Sequence, residues 1–358
     1  MLNKDSPLYA ILDLARWAPS GDNTQPWRFE IVNEHYVVVH GHDTRDHCVY
    51  DLDGRASQLA LGALLETLTI AATQHGLRAQ IERRAGLPET QPTFDVRLVA
   101  DEHIASDPLL PFITERSVQR RPLSTTALTP AQKQALEAAV ANDYEVVWLE
   151  DFSARLEAAR LMFANAHIRL TIPEAYAVHR AIIDWNTRFS EDKVPDQAVG
   201  LDPMTLKLMH WVMGSWGRVV FFNRFLAGTL LPRIQLDLIP GLACAAHFAL
   251  AAKAAPDGLD DHVAAGRALQ RFWLTASGLG LQLQPEMTPV IFGRYTREGR
   301  TFTRVTRARD TAATLAERLG RLLRVAPLER VVFLGRIGFG PRPSSRSLRL
   351  PLLKLLRD

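Results

Sequence analysis

The chain has 358 residues, 47% of them hydrophobic, and its 42 Lys and Arg against 39 Asp and Glu leave a formal charge of +3. That length is too great for one small core, so one large or two modest globular domains are expected. A charge balance this even, with no dense basic stripe interleaved with aromatics, argues against nucleic acid as a partner.

Ser6-Pro7 is a good cap and first-turn pair, and Leu8, Ile11, Leu12, Ala15 and Ala18 recur at helical spacing. Pro19 ends that helix, because it biases Ala18 away from helical angles. The bend Pro19-Ser20-Gly21-Asp22-Asn23-Thr24-Gln25-Pro26-Trp27 follows. Fixed by two prolines and an aromatic, it can aim Ser20, Asn23 and Gln25 at a planar, hydrogen-bonding ligand. Taken alone, it is equally an ordinary connection in which Ser, Asn and Gly do turn chemistry. Arg28–Val32 and Tyr36–Val39 then read as two strands joined by a turn at Asn33-Glu34.

His40, His42, His47 and Cys48 lie beside Asp43-Thr44-Arg45 and Asp51-Leu52-Asp53-Gly54-Arg55. Their spacing matches no standard zinc pattern, and a polar loop with Asp-Arg pairs entering a helix explains it, so no metal is expected. A weak internal echo comes next. The helical stretch 56–74 ends in Gly76-Leu77 and carries Gly62; the stretch 262–277 ends in Gly280-Leu281 and carries Gly266. The glycines would let two helix backbones approach closely, and each terminal Gly-Leu resembles a helix C-cap. Two diverged halves are implied, each with strands beside its helix: Phe94–Val99 in the first, Val331–Leu334 in the second.

The second half starts near Arg116-Ser117-Val118-Gln119-Arg120-Arg121-Pro122. Three guanidinium groups and a hydroxyl there suit a phosphate dianion, or a solvated basic turn. A capped helix from Thr129-Pro130 to Ala141 and a strand at Tyr144–Leu149 follow. The stretch 174–240 has no counterpart in the first half and carries Trp185, Trp211, Trp216, Phe221 and Phe222, either as an aromatic lid over a ligand or as a packed helical subdomain. Within it, the apolar run 209–231 is interrupted by Arg218, Asn223 and Arg224. No membrane span is expected, while an exposed amphipathic surface stays open. Near the end, Gly335-Arg336-Ile337-Gly338 closes a strand, and Ser345-Arg346-Ser347-Leu348-Arg349-Leu350-Pro351-Leu352 forms a second Arg and Ser cluster. The two cysteines, Cys48 and Cys244, form no CxxC pair, and the N-terminus shows no signal-peptide pattern. Both fit a cytoplasmic protein.

Together these residues resemble the nitroreductase family of flavin enzymes. Its PSxxNxQPWxF bend is matched in every listed letter from Pro19 to Phe29, its arginine-serine-arginine motif by Arg116-Ser117 with Arg120 or Arg121, and its late RxPL element by Arg349-Leu350-Pro351-Leu352. In that family short chains dimerise, and each flavin uses the bend of one subunit and the arginines of the other. Here the bend occurs only in the first half and the arginine motif only in the second. The resemblance therefore implies an α+β fold of two diverged halves, 1–113 and 114–358, each with an antiparallel or mixed sheet flanked by helices. They would be fused into a pseudo-dimer with one flavin pocket and a helical lid insertion at about 174–240. It is similar to the tandem Acg-like group in the Asp43-x-Arg45, Asp53-Gly54-Arg55 and Gly62-Ala63 pattern. By the same analogy Ser20, Asn23 and Gln25 would bond the ring and ribityl chain of FMN, and Arg116, Ser117, Arg120, Arg346 and Arg349 would hold its phosphate. NAD(P)H would be the reductant and an aromatic or conjugated small molecule the acceptor. The alternative is a flavin-sequestering protein whose lid allows no turnover. Either a monomeric pseudo-dimer or a further homodimer is implied.

Overall fold

Helix α1 (Pro7–Ala15) opens the computed structural model, which describes residues 5–357. The Ser6 hydroxyl accepts the Tyr9 N–H at 3.2 Å, and Leu8, Ile11, Leu12 and Ala15 are buried on one face. After the bend come β1 (Trp27–Asn33), β2 (Tyr36–Gly41), α2 (Arg55–Thr73), β3 (Leu77–Arg83) and β4 (Thr93–Ala100). They form an antiparallel sheet in the order β1-β2-β4-β3.

The second half begins with α3 (Pro130–Ala139), where Thr129 and Gln132 close a reciprocal capping box, and β5 (Tyr144–Leu149). Helices α4 (Phe152–Thr171), α5 (Pro173–Ile182), α6 (Pro203–Met213) and α7 (Trp216–Phe225) follow, then a helical run 230–242 with a π-turn at Ile234–Leu238. β6 (Ala246–Ala252), α8 (Leu259–Gly278), β7 (Leu281–Pro285), α9 (Thr288–Arg297), α10 (Thr306–Leu323) and β8 (Val331–Phe339) complete it. This sheet is also antiparallel, ordered β7-β8-β6-β5.

Counted along the chain, both sheets therefore run first, second, fourth, third, with a long helix between the second strand and the third. The echo extends to detail. Gly76 and Gly280 both take left-handed angles (φ 65° and 74°) just past their helices, each donating its N–H back to a carbonyl at 3.1 Å. The second half differs by two expansions. Helical structure from α4 to Leu242 separates its first two strands, and α9 with α10 separates its last two. The first expansion begins well before the aromatic stretch that sequence singles out. Its opening helix buries Ala158, Ala159, Leu161, Met162, Asn165, Ala166 and Ile168 on one face, but Leu156, Phe163 and Leu170 are half-buried on the other, so its apolar residues make no one-sided stripe.

Helices α2 and α8 pack face to face across the middle of the molecule. A Cβ on Gly62 would stand 2.0 Å from the Val263 carbonyl, and one on Gly266 would stand 2.1 Å from that of Leu59. Only glycine permits this approach. The contact is bolted by Glu66, which takes Arg267 at 2.8 Å and Arg271 at 2.9 Å, and by Gln270 Nε2 donating to Thr67 Oγ1 at 2.9 Å. Among the described residues α2 alone is long and apolar enough to cross a membrane, and 83% of its apolar window is buried inside the protein. The chain's end returns to the first half: Leu352 and Leu355 join the core behind β1, and the Arg357 N–H donates to the Phe29 carbonyl at 2.8 Å.

Candidate functional site

A cavity of about 670 Å³ lies where the halves meet, with the bend on one wall, α4 and the α6–α7 hairpin on another, and β8 with residues 346–349 closing it. That size is within the range of cofactor and drug-sized sites.

The bend is strained. Asp22, Asn23 and Gln25 all take left-handed backbone angles (φ 51°, 64° and 49°), three non-glycine residues in four positions. Such strain persists only where surroundings over-determine it, and it concentrates at functional sites. The surroundings are visible. Ser20 Oγ accepts the Gln25 N–H at 3.0 Å. The Asn23 amide donates to the Glu191 and Lys193 carbonyls at 3.1 and 3.2 Å, while its buried Oδ1 has no partner. Gln25 donates to the Asn23 and Glu191 carbonyls at 3.2 and 2.9 Å and accepts the Leu350 N–H at 2.9 Å. Ser20, Asp22 and Asn23 line the cavity; Gln25 is fully buried behind it and pins the bend to the segments around 191 and 350.

Beside the bend, against the residues that lead into it, stand the arginines. Arg116 Nη2 donates to the Trp17 carbonyl at 2.9 Å and its guanidinium stacks 4.7 Å from the centre of the Trp273 ring. Arg349 Nε donates to the Ala18 carbonyl at 2.9 Å, and Arg346 lies 5.1 Å over the Trp17 ring with Nη1 on the Thr114 carbonyl at 2.9 Å. Trp17 and Ala18 lie in the turn just past α1, at the end of the helix where the carbonyls carry partial negative charge. Arg120 donates to the Ala198 carbonyl at 3.1 Å. Among the described residues none of these four guanidiniums has a carboxylate within ion-pair reach, and the Nε atoms of Arg116 and Arg346 are buried without a partner. Burial, then the neighbouring Arg349 and Arg346, pushes Arg116 well below its ordinary range; burial, Arg346 and Arg16 bring Arg349 down to about 9. Ser117 completes this wall.

Seven of the eight residues singled out from sequence (Ser20, Asn23, Arg116, Ser117, Arg120, Arg346 and Arg349) thus line one cavity, and Gln25 stands behind it. Sequence reading missed others that line the same cavity. Burial raises the Asp22 carboxyl to about 6, opposed by Arg120. The Tyr50 hydroxyl meets His179 Nε2 at 2.9 Å, and burial, then Arg169, lowers His179 to about 3, so its imidazole is neutral. Arg169 Nη2 grips both oxygens of Asp237 at 2.8 and 2.9 Å. Glu286 accepts from Arg336 Nη1 at 3.2 Å and pairs with His247 Nδ1 at 2.6 Å behind the wall. One signal was present: Arg336 interrupts an otherwise apolar strand run.

The other sequence motif caps a helix. Asp51 accepts the Ala56 and Ser57 N–H groups, at 2.8 and 3.3 Å, and the Thr44 and Ser57 hydroxyls, at 2.9 and 2.6 Å. Asp53 pairs with Arg294 at 2.6 Å, Asp43 with Arg45 at 2.5 Å, and Gly54 turns left-handed against the Arg45 side chain. His40 pairs with Glu30 at 2.7 Å. Among the described residues no three His, Cys, Asp or Glu side chains group as metal ligands.

No family model matches the chain, and no curated protein matches it. Among solved structures it is similar to one described as that of a nitroreductase of Anabaena variabilis, with 11% identity and a TM-score of 0.39 over 86% of this chain and 69% of that one.

Proposed function

We propose that the cavity binds FMN and that the protein is a flavin-dependent oxidoreductase of the nitroreductase kind, reduced by NAD(P)H and passing electrons to an aromatic or conjugated acceptor. The observation that carries this reading is the group Arg116, Arg346 and Arg349, two buried cations and one half-buried one bonded only to carbonyls, with unspent Nε donors on Arg116 and Arg346, lining a cavity sized for a cofactor. Burying cations beside one another is costly, and a phosphate dianion seated among them would offset that cost with bidentate, charge-assisted bonds. Ser117 would add a hydroxyl. On the bend, Asn23 Oδ1 is the unpaired acceptor suited to a ring N–H, and Ser20 shares that wall.

When bound, FMN would supply hydride acceptance and release. The protein's own groups would bind, orient and exclude water. The strained bend would hold Asn23 against the ring edge, the guanidiniums would fix the phosphate end, and the Asp22 carboxyl, raised to about 6, could hold a proton at the wall on the acid side of neutrality. The two halves would then be a fused pseudo-dimer with one site, an assignment supported by their shared strand order. Leu208, Leu226 and Leu231 both line the cavity and are 45%, 57% and 47% exposed, so they frame a mouth. An open mouth favours turnover over sequestration.

The test is the absorbance of the purified protein, supplied with FMN, before and after NADH or NADPH. Bleaching of the flavin band is expected; no bleaching with either nucleotide would remove the enzyme reading. Arg116→Gln with Arg349→Gln should weaken FMN binding about a hundredfold or more, and wild-type protein that binds no FMN would overturn the cofactor assignment.

A further inference from the structure

The mouth of the cavity is framed by the most apolar exposed surface of the molecule. On α6, Met204, Leu208 and Trp211 follow i, i+4, i+7 spacing and all face solvent, Met204 at 80%. On α7, Phe221 and Phe225 are one turn apart, both exposed, with ring centres 5.2 Å apart; Phe222 bridges them to Trp211 at 5.7 Å. Leu226, Leu230 and Leu231 continue the patch to the mouth. A contiguous apolar surface of this kind marks an interaction site.

Its charge pattern selects the partner. From residue 203 to 236 there is no Asp or Glu, while Lys207, Arg218, Arg224 and Arg233 are present. Arg233 turns inward to the Phe163 carbonyl. Lys207, Arg218 and Arg224 are exposed, and the two guanidiniums lie over the Trp211 and Phe225 rings at 4.5 and 5.5 Å. Aromatic and leucine side chains flanked by snorkelling cations, with acids excluded, are what an interfacial helix needs to enter an anionic lipid surface. A second copy of this chain fits worse, since a twofold contact would set these cations against themselves.

We infer that the α6–α7 hairpin and the 226–231 loop seat the protein on an anionic phospholipid surface, with the cavity mouth toward the acyl chains. The inner face of the same hairpin (Met209, Val212, Met213, Val219, Phe222) lines the cavity, so an apolar path joins bilayer to site. The docking itself is independent of what the cavity binds.

Vesicle flotation of the full chain tests it, using phosphatidylcholine alone and phosphatidylcholine with an equal part of phosphatidylglycerol. Wild type should float with the anionic vesicles and not with the neutral ones. Lys207→Glu with Arg224→Glu should weaken that binding about thirtyfold or more, and Phe221→Ser, Phe225→Ser, Leu226→Ser should abolish it while leaving the circular dichroism spectrum unchanged. Should the triple variant misfold, the charge variant alone decides. Wild-type protein that stays at the bottom of the gradient overturns the proposal. So does a wild-type dimer in light scattering that the charge variant leaves intact while vesicle binding is absent, which would make the patch a subunit interface.

Discussion

In the first half the sheet and its helix are joined by connections of ordinary size: residues 34–35, 42–54, 74–76 and 84–92. In the second half the same strand order carries 150–245 and 286–330 between neighbouring strands. A sheet tolerates such growth because connections leave at its edge and need not disturb the ladder. The unexpanded half presents one strained bend, and the expanded half presents the arginines, the Tyr50 partner His179 and the hairpin at the mouth. The scaffold is common, and the differences between the halves are where the chemistry lies.

The largest test of that contrast targets a buried charge network peculiar to the second sheet. The first sheet packs Val37, Val39, Phe94, Val96 and Leu98 at its centre, whereas the second buries His247, Glu286 and Arg336 together. Glu286→Gln would leave Arg336 buried without its counter-charge and His247 without its ion-pair partner, at a cost of about 3–5 kcal/mol in chemical denaturation. Burial opposes the His247 charge, but the adjacent Glu286 carboxylate prevails and raises it from 6.5 to about 10. Between those values the folded state holds a proton that the unfolded state has lost. Stability from this group is therefore complete below pH 6.5 and declines as pH rises through about 10, by at most about 1.4 kcal/mol per pH unit. Glu286→Gln should flatten that decline; an unchanged slope would show that the network does not cause it.

Next in size is the helix crossing that joins the halves. Gly266→Ala places a methyl 2.1 Å from the Leu59 carbonyl, forcing backbone apart from backbone. A loss of about 3 kcal/mol in urea midpoint analysis is expected, and a neutral result would mean the crossing is looser than drawn. Gln25→Ala should cost about 2 kcal/mol, since it strands the half-buried Leu350 N–H and frees the bend from both flanking segments; calorimetry measures it. The smallest effect is a gain. Gly217 on α7 has open space where a Cβ would go, so Gly217→Ala should stabilise by about 0.5 kcal/mol. That sign, opposite to Gly266, separates a glycine held for contact from one that is not.

How much of this was legible beforehand depends on range. Helix starts at Ser6-Pro7 and Thr129-Pro130, the glycine C-caps and the β1–β2 hairpin are local, and each appears in the structure within a few residues of its sequence signal. The Gly62 and Gly266 pairing was legible because both halves carry it at matching positions. The length of the first expansion was not, because α4 is wrapped by neighbours and lacks a one-sided stripe. His247, Glu286 and Arg336 are scattered over ninety positions, and no spacing links them.

By itself, then, the sequence determined the elements, their caps, the two-fold echo, and a bend and an arginine cluster that were each candidates for a ligand. Those follow from short-range sterics, hydrogen bonding and periodicity. The resemblance already implied that the bend and the arginines share one pocket, and both line one cavity; tertiary structure alone decided that Asn23 keeps a free acceptor while Gln25 spends its amide on the backbone, and that the aromatic hairpin turns one face inward and the other to solvent. Such outcomes depend on which distant groups arrive to satisfy, or fail to satisfy, each buried polar atom, and only packing settles that.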